Sequence, residues 1–151
     1  MRVISMVRKN VVTFDEMMQE VRQYIKKEEN IDLITRAFLC AEKNHAGQYR
    51  KSGEPYIIHA IQVGYILAML RTGPKTIAAG LLHDVVEDCD VCLEQISEMF
   101  GEEVASLVES VTKDVYKRQL QMHLAAPYLL FIRMMVFLKN ICFYQQIQTW
   151  F

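Results

Sequence analysis

The chain has 151 residues, of which 52% are hydrophobic and 23% charged, a composition typical of a folded globular protein rather than a disordered one. A domain of this size buries a core without needing disulfides or metals as staples. The formal net charge is −1, so no excess of positive charge favours general binding to nucleic acid.

Charge is unevenly distributed along the chain. Residues 1–114 hold all 18 acidic and 13 of the 17 basic side chains, a net charge of −5. Residues 115–151 contain no Asp or Glu but carry eight of the 15 aromatic residues. We therefore predict a domain over residues 1–113 and a compositionally different tail over 114–151.

The first part of the chain predicts a series of helices. Residues 13–16 have the form of a capping box, in which two side chains satisfy unpaired amide donors, and apolar residues follow at helical spacing. A second helix is predicted from Asp32 to Gly47, where glycine ends it. The polar stretch over 48–55 contains Gly and Pro and predicts a loop.

Four more helices follow this loop. The third is predicted from Ile57 to Arg71, and the fourth starts with Pro74, a residue tolerated in a first helical turn. Asp90 is a candidate cap for a fifth helix that ends at Gly101, and a sixth follows. Short connections between amphipathic helices predict an all-α bundle around a shared core.

A polar cluster interrupts the apolar pattern of the fourth helix. His83 and Asp84 stand side by side among Leu and Val residues, and Glu87 and Asp88 follow each of them by one helical turn. Such residues are rarely placed next to a core for packing alone. His59, at the start of the third helix, is positioned to meet His83 if the two helices pair.

This residue set predicts a metal centre. Two imidazoles and a carboxylate suit a divalent transition metal better than calcium or magnesium, and such a metal lowers the pKa of a bound water. The alternative for His59 is a satisfied polar residue without function. Glu87 and Asp88 could likewise be a solvated helix end, although acids at a C-terminal turn oppose the helix dipole.

The loop between the second and third helices carries a second candidate site. Arg50, Lys51 and Ser52 bring two cations and a hydroxyl next to a glycine, which suits binding of a phosphate or a nucleotide base. The alternative is a solvated charge cluster. His45, just before the loop, is equally open to either interpretation.

Nothing in the sequence indicates export or a membrane span. Residues 1–12 lack an apolar signal region, so we predict a cytoplasmic protein with reduced cysteines. Cys89 and Cys92 form a single C-x-x-C, which is half the pattern of a zinc ribbon. The apolar stretch over 124–138 is shorter than the about 20 residues of a spanning helix and contains Arg133.

Two motifs resemble the (p)ppGpp-hydrolase domain of the RelA/SpoT family, which is an HD-type domain. Residues 45–59 read HAGQYRKSGEPYIIH, similar to the start of that domain, and residues 81–88 read LLHDVVED, similar to its HD signature. Phe100-Gly101 and residues 111–113 resemble the segments that the family carries after that signature. The resemblance covers roughly residues 30–113 and implies an HD-domain helical bundle.

The resemblance also implies roles for the polar cluster. His59, His83 and Asp84 would be three ligands of a Mn²⁺ ion. Glu87 and Asp88 would position or activate the attacking water and help to protonate the leaving group. The implied reaction is hydrolysis of the 3′-diphosphate of (p)ppGpp to GDP or GTP and pyrophosphate, as part of a bifunctional synthetase/hydrolase of the stringent response.

In the same way, the resemblance assigns Arg50, Lys51 and Ser52 to the guanosine part of the nucleotide. One departure concerns the metal, because the family places a further aspartate ligand after residue 113, where this chain has only Asp114 and no later acid. The tail is therefore predicted to be foreign to the domain. Two alternatives stay open: a catalytically incomplete module that binds metal or nucleotide, and an HD phosphohydrolase for another nucleotide.

Overall fold

The computed structural model describes residues 11–111, which form six helices. These are α1 (Phe14–Tyr24), α2 (Glu28–Asn44), α3 (Ile57–Met69), α4 (Pro74–Asp88), α5 (Leu93–Phe100) and α6 (Glu102–Val111). The one β-type pairing within this range is an isolated bridge between Tyr49 and Pro55. The predicted all-α fold is therefore confirmed for residues 11–111.

The predicted tail lies outside the described residues, so its separate origin and its apolar stretch over 124–138 stay predictions. Between residues 11 and 111, no helix is long and apolar enough to cross a membrane. The boundary at 113 also lies outside the described range and is untested.

Helix α4 forms the centre of the bundle. It packs against α2, α3 and α6, and the nine residues from Ile77 to Val85 are all buried. A helix enclosed on every side has no solvent face to which a polar side chain could be directed. His83 and Asp84 therefore lie inside the protein, within a helix that otherwise buries mainly Ala, Leu and Val.

A glycine sets the distance between α3 and α4. A Cβ atom added at Gly80 would lie 2.3 Å from Cδ1 of Leu67 and 3.3 Å from Cγ1 of Val63, both on α3. A Cβ atom this close would force Leu67, which is fully buried, to shift, so the observed packing of α3 against α4 depends on residue 80 lacking a side chain. The approach matters for the site because His59 is on α3 and His83 is on α4.

Helix ends follow local hydrogen bonding. The predicted capping box is confirmed, since the Thr13 N–H donates to Glu16 Oε2 at 3.0 Å and the Glu16 N–H donates to Thr13 Oγ1 at 3.3 Å. Helix α5 begins later than predicted, with Cys92 rather than Asp90 at its N-cap. The reason is that the Cys92 N–H donates to Gln95 Oε1 at 3.0 Å, a cap supplied from within the helix.

Helix α2 begins four residues before the predicted Asp32. Its first turn contains Glu28 and Glu29, whose negative charges favour the positive end of the helix dipole. The apolar periodicity that predicted the later start begins only with Ile31, the first buried residue of this helix. Periodicity therefore reported the buried part of α2 and missed its exposed first turn.

We expect Gly80→Ala to lower the free energy of unfolding by about 1–3 kcal/mol, the usual cost of overpacking a core. The direction is informative because alanine is otherwise the better helix former by about 1 kcal/mol. Urea denaturation followed by circular dichroism measures the change. In a Leu67→Ala background the same substitution should cost much less, and an equal cost in both backgrounds would contradict the contact with Leu67.

Candidate metal centre

Three predicted ligands come together in the core. His59 lies in the first turn of α3, and His83 and Asp84 lie in the enclosed part of α4. They are 3%, 1% and 4% exposed, respectively. One ligand atom from each lies within 4.8 Å of the other two, and this is the one such group of three or more side chains found in residues 11–111. The predicted meeting of His59 with His83 is confirmed.

The Asp84 carboxylate lies between the two imidazoles. Its Oδ2 is 3.5 Å from His59 Nε2, and its Oδ1 is 3.1 Å from His83 Nε2. The two imidazole rings are 5.4 Å apart between centroids and inclined by 63°. Each carboxylate oxygen thus faces a different ring nitrogen.

The backbone of α4 fixes the tautomer of His83. Its Nδ1 lies 2.8 Å from the carbonyl oxygen of Gly80, which can only accept, so Nδ1 carries the proton and donates. In the neutral ring, Nε2 then presents its lone pair towards Asp84. That nitrogen is buried and has no hydrogen-bond partner.

This arrangement fits a divalent metal. A buried lone pair and a buried carboxylate oxygen 3.1 Å apart repel each other unless a cation is held between or beside them. Metal-binding histidines commonly donate their other N–H to a backbone carbonyl, as His83 does. Two imidazole nitrogens and one carboxylate oxygen suit a transition metal, and three protein ligands leave coordination positions open for water or substrate.

Glu87 and Asp88 lie in the last turn of α4, one turn beyond His83 and Asp84. Glu87 is half-buried, whereas Asp88 is more accessible and ends the helix. Two further carboxylates therefore stand at the end of the helix next to the buried cluster. Their position matches the expectation from the sequence, but the roles assigned to them remain predictions.

Tyr56 connects the buried group of predicted ligands with the carboxylates at the end of α4. Its hydroxyl oxygen lies 2.7 Å from Asp88 Oδ2 and 3.2 Å from Asp84 Oδ2. Burial, followed by the nearby charge of Asp84, raises the pKa of Tyr56, so the phenol stays protonated and acts as a donor at neutral pH. Sequence reasoning gave Tyr56 no role; its place one turn before His59 is the signal that could have identified it.

His45 is a buried part of the same surroundings. Its ring is 3% exposed and stacks on Tyr56 with centroids 4.6 Å apart. Its Nδ1 lies 2.8 Å from Gln48 Oε1 and 3.6 Å from Cys89 Sγ. Burial raises the pKa of the Cys89 thiol, which donates to the Asn44 carbonyl at 3.3 Å and thus packs as a neutral group.

The predicted loop is a tight turn closed by its own backbone. The Gly53 N–H donates to the Arg50 carbonyl at 2.9 Å, and Gly53 takes a φ of 86°, which favours glycine. The Arg50 guanidinium carbon lies 5.5 Å from the centroid of the Tyr56 ring. Lys51 and Ser52 are exposed, and among the described contacts only Arg50 of the three links the turn to the cluster.

Similarity to known proteins agrees with this site. The HD domain family matches residues 37–127, a stretch that contains the turn, both histidines and Asp84. The match also crosses the compositional boundary predicted at residue 113, which nothing in the described structure tests.

Several curated proteins are similar over the same region. A guanosine-3′,5′-bis(diphosphate) 3′-pyrophosphohydrolase of Spiroplasma citri is 46% identical over 105 residues, covering 70% of this chain and 14% of its own length. A probable enzyme of the same name from Synechocystis sp. is 59% identical over 81 residues, covering 54% of this chain and 11% of its own length. The bifunctional (p)ppGpp synthase/hydrolase SpoT of Escherichia coli K12 is 41% identical over 100 residues, covering 66% of this chain and 14% of its own length. The chain thus spans less than a sixth of these relatives.

We expect Asp84→Asn to weaken binding of Mn²⁺, used as a probe, by at least about tenfold. Replacing even a residue that only hydrogen-bonds to a metal ligand typically lowers metal affinity by about 10–100-fold. Isothermal titration calorimetry measures the affinity. The metal-free variant should unfold at no lower temperature than the parent, since the substitution removes a buried charge. Asp90→Asn, an exposed acid two residues beyond α4, is the control; an equal loss in both variants would contradict the assignment.

Proposed function

The chain belongs to the HD domain family, and from this we propose that it is a metal-dependent hydrolase that removes the 3′-diphosphate of (p)ppGpp. The products would be GDP or GTP and pyrophosphate. The names of similar proteins from several bacteria support this substrate. The observation that carries the proposal is the buried group of His59, His83 and Asp84 beside two further carboxylates.

The proposal concerns the domain and not a whole multidomain protein. This chain covers 11–14% of its curated relatives, so any synthetase activity would belong to regions outside the similarity. By resemblance, the domain would act within a RelA/SpoT-type bifunctional enzyme of the cytoplasm. Nucleic-acid binding is not part of the proposed function.

His59, His83 and Asp84 would hold the metal, which we propose to be Mn²⁺. When bound, such an ion lowers the pKa of a coordinated water and withdraws charge from a phosphate oxygen. The protein contributes the geometry. The Gly80 carbonyl keeps the His83 proton on Nδ1, so that the lone pair of Nε2 would be free to coordinate the metal. The enclosing helices exclude bulk water from this side of the site.

Glu87 and Asp88 would handle the protons of the reaction. A water oxygen forms a bond to the phosphorus attached to the ribose, and the bond between that phosphorus and the 3′-oxygen breaks. One carboxylate accepts a proton from the attacking water, and a carboxylic acid returns a proton to the departing 3′-oxygen. Both side chains lie in the last turn of α4, where a substrate can approach from the accessible end of the helix.

Arg50, Lys51 and Ser52 would bind the guanosine part of the nucleotide. A guanidinium stacks on a planar base, and the Arg50 guanidinium already lies over the ring of Tyr56, whose hydroxyl reaches Asp84. Lys51 and Ser52 are exposed on the same turn and can donate hydrogen bonds. The turn would therefore hold the base while the 3′-diphosphate extends towards the carboxylates.

A second candidate is a metal- or nucleotide-binding module of the same fold without turnover. One observation favours it: the candidate metal-binding group found within residues 11–111 has three side chains. Both candidates bind metal. They differ in whether pyrophosphate is released, and an activity assay therefore separates them.

We expect purified protein supplied with ppGpp and Mn²⁺ to release pyrophosphate, and Asp84→Ala to reduce the rate by at least about 100-fold, since loss of a metal ligand removes the activated water. Glu87→Gln and Asp88→Asn should also lower kcat by about 100-fold or more, the typical contribution of a general acid or base. Asp90→Asn is the control with unchanged rate. No release from folded, metal-saturated protein would instead support the binding module.

Arg50→Leu should raise KM for ppGpp about tenfold, because a lost stacking interaction of about 1–2 kcal/mol corresponds to roughly that factor. The affinity for Mn²⁺ should not change, since Arg50 does not contact the ligand group. Steady-state kinetics and calorimetry measure the two quantities separately. A fall in kcat with unchanged KM would place Arg50 in the chemical step and not in base recognition.

A further inference from the structure

Tyr56 lies where the turn meets helix α3. Its N–H donates to the Gln48 carbonyl at 3.0 Å, and its carbonyl accepts from the His59 N–H at 3.0 Å. Backbone hydrogen bonds therefore fix Tyr56 both to the start of the turn and to the first predicted metal ligand. Its ring also meets the His59 ring edge-on, with centroids 6.3 Å apart.

The hydroxyl of Tyr56 has one proton and two carboxylates within reach. The distance to Asp88 Oδ2 is 2.7 Å, which is typical of a strong hydrogen bond from a hydroxyl to an anion, whereas the distance to Asp84 Oδ2 is 3.2 Å. The proton therefore belongs mainly to the bond with Asp88. Asp84 keeps its oxygens turned towards the two imidazoles.

The Tyr56 ring is held rigidly by a buried neighbour. The imidazole of His45 stacks on it at 4.6 Å with an angle of 21° between the planes. That imidazole is itself fixed by a 2.8 Å hydrogen bond between Nδ1 and Gln48. The Arg50 guanidinium, whose carbon lies 5.5 Å from the Tyr56 centroid, thus rests on a ring that has little freedom to move.

We propose that Tyr56 is a positioning residue for the hydrolysis of (p)ppGpp: its hydroxyl orients the Asp88 carboxylate, and its ring supports Arg50 of the nucleotide-binding turn. This inference rests on the proposed function and gives a role to Tyr56, which has none in that function. Asp88 ends its helix at the surface, so without this hydrogen bond its carboxylate would sample several rotamers. One side chain would thereby fix the position of the Arg50 guanidinium, which recognises the base, relative to the Asp88 carboxylate, which transfers a proton.

The first experiment separates the hydroxyl from the ring. Tyr56→Phe should lower kcat for pyrophosphate release from ppGpp about 10–100-fold, the factor expected for a hydrogen bond to a charged group. KM and the Mn²⁺ affinity should stay within about threefold, because the ring and the ligand group are unchanged. Tyr56→Phe combined with Asp88→Asn should be no slower than Asp88→Asn alone, since the hydroxyl acts through that carboxylate.

A matched control is available in the same bundle. Tyr24 is also a half-buried tyrosine; its hydroxyl donates to the Thr72 carbonyl at 3.0 Å and its ring lies 5.1 Å from the Arg71 guanidinium carbon. Tyr24→Phe removes the same atom from a similar environment outside the site. Its kcat should equal that of the parent, and similar losses in both variants would show a general effect of removing a buried hydroxyl.

The second experiment tests the ring. Tyr56→Leu should weaken binding of GDP in metal-free protein by about tenfold, the value of a lost support for the Arg50 cation, whereas Tyr56→Phe should bind as the parent does. Calorimetry measures both without any turnover. Equal GDP affinity in the parent and the leucine variant would overturn the role of the ring.

A third measurement is independent of activity. With tyrosine labelled at ¹³Cζ, the Tyr56 resonance, assigned by its absence in Tyr56→Phe, should shift in Asp88→Asn and stay in place in Asp90→Asn. If the parent protein releases no pyrophosphate, the proposed hydrolase is wrong, and the resonance and GDP affinities still decide the contacts of Tyr56. A resonance insensitive to Asp88→Asn, a normal kcat in Tyr56→Phe, or a kcat restored by excess Mn²⁺ would each overturn the role of the hydroxyl.

Discussion

The Asp84 carboxylate is 4% exposed in the buried part of helix α4, one turn before the helix ends, and a charge in such a place costs several kcal/mol unless it is offset. Two imidazoles face it, and one of them is held by the backbone in the tautomer that presents a lone pair. The Tyr56 hydroxyl also reaches this carboxylate, and a proton or a metal cation among the three groups would offset its charge further. The fold thus favours positive charge at one point in its core.

The packing around α4 keeps that point fixed. The close approach of α3 at Gly80 brings His59 within 3.5 Å of Asp84, so the distance between ligands is set by helix packing. A carbonyl of the same glycine also orients His83. One residue without a side chain therefore serves both the helix contact and the ligand geometry, which ties the site to the core instead of to a surface loop.

The sequence was sufficient for the parts of the protein that depend on neighbours along the chain. The capping box at Thr13, the helix over the HD motif and the turn around Gly53 all rest on local hydrogen bonding or periodicity. Apolar periodicity missed the exposed first turn of α2, because charged residues there follow the dipole and not the core. The cluster of His59 with His83 and Asp84 was predicted because both motifs occupy recognisable helix positions.

Apolar periodicity could not predict contacts between residues that are far apart in the sequence. Tyr56 is 32 residues from Asp88 and reaches it only because α3 and α4 pack side by side, which no local pattern records. The placement of His45 has a similar origin, since its ring stacks on Tyr56 across the turn and contacts Cys89, which is 44 residues further along the chain. Residues that join two parts of a site are therefore the hardest to predict from sequence, although they carry ordinary side chains.

The turn and the metal centre are built from one continuous stretch of chain. Residues 45–59 run from the buried His45 through the cationic turn into the helix that carries His59. Tyr56 stacks on His45, and its carbonyl accepts a hydrogen bond from the His59 N–H. A shift of the turn would consequently move the first ligand as well. Under the proposed function, base recognition and metal binding would share this stretch. Changes of substrate would then come from the exposed Lys51 and Ser52, which make no described contact with the cluster, and not from Arg50 or Tyr56.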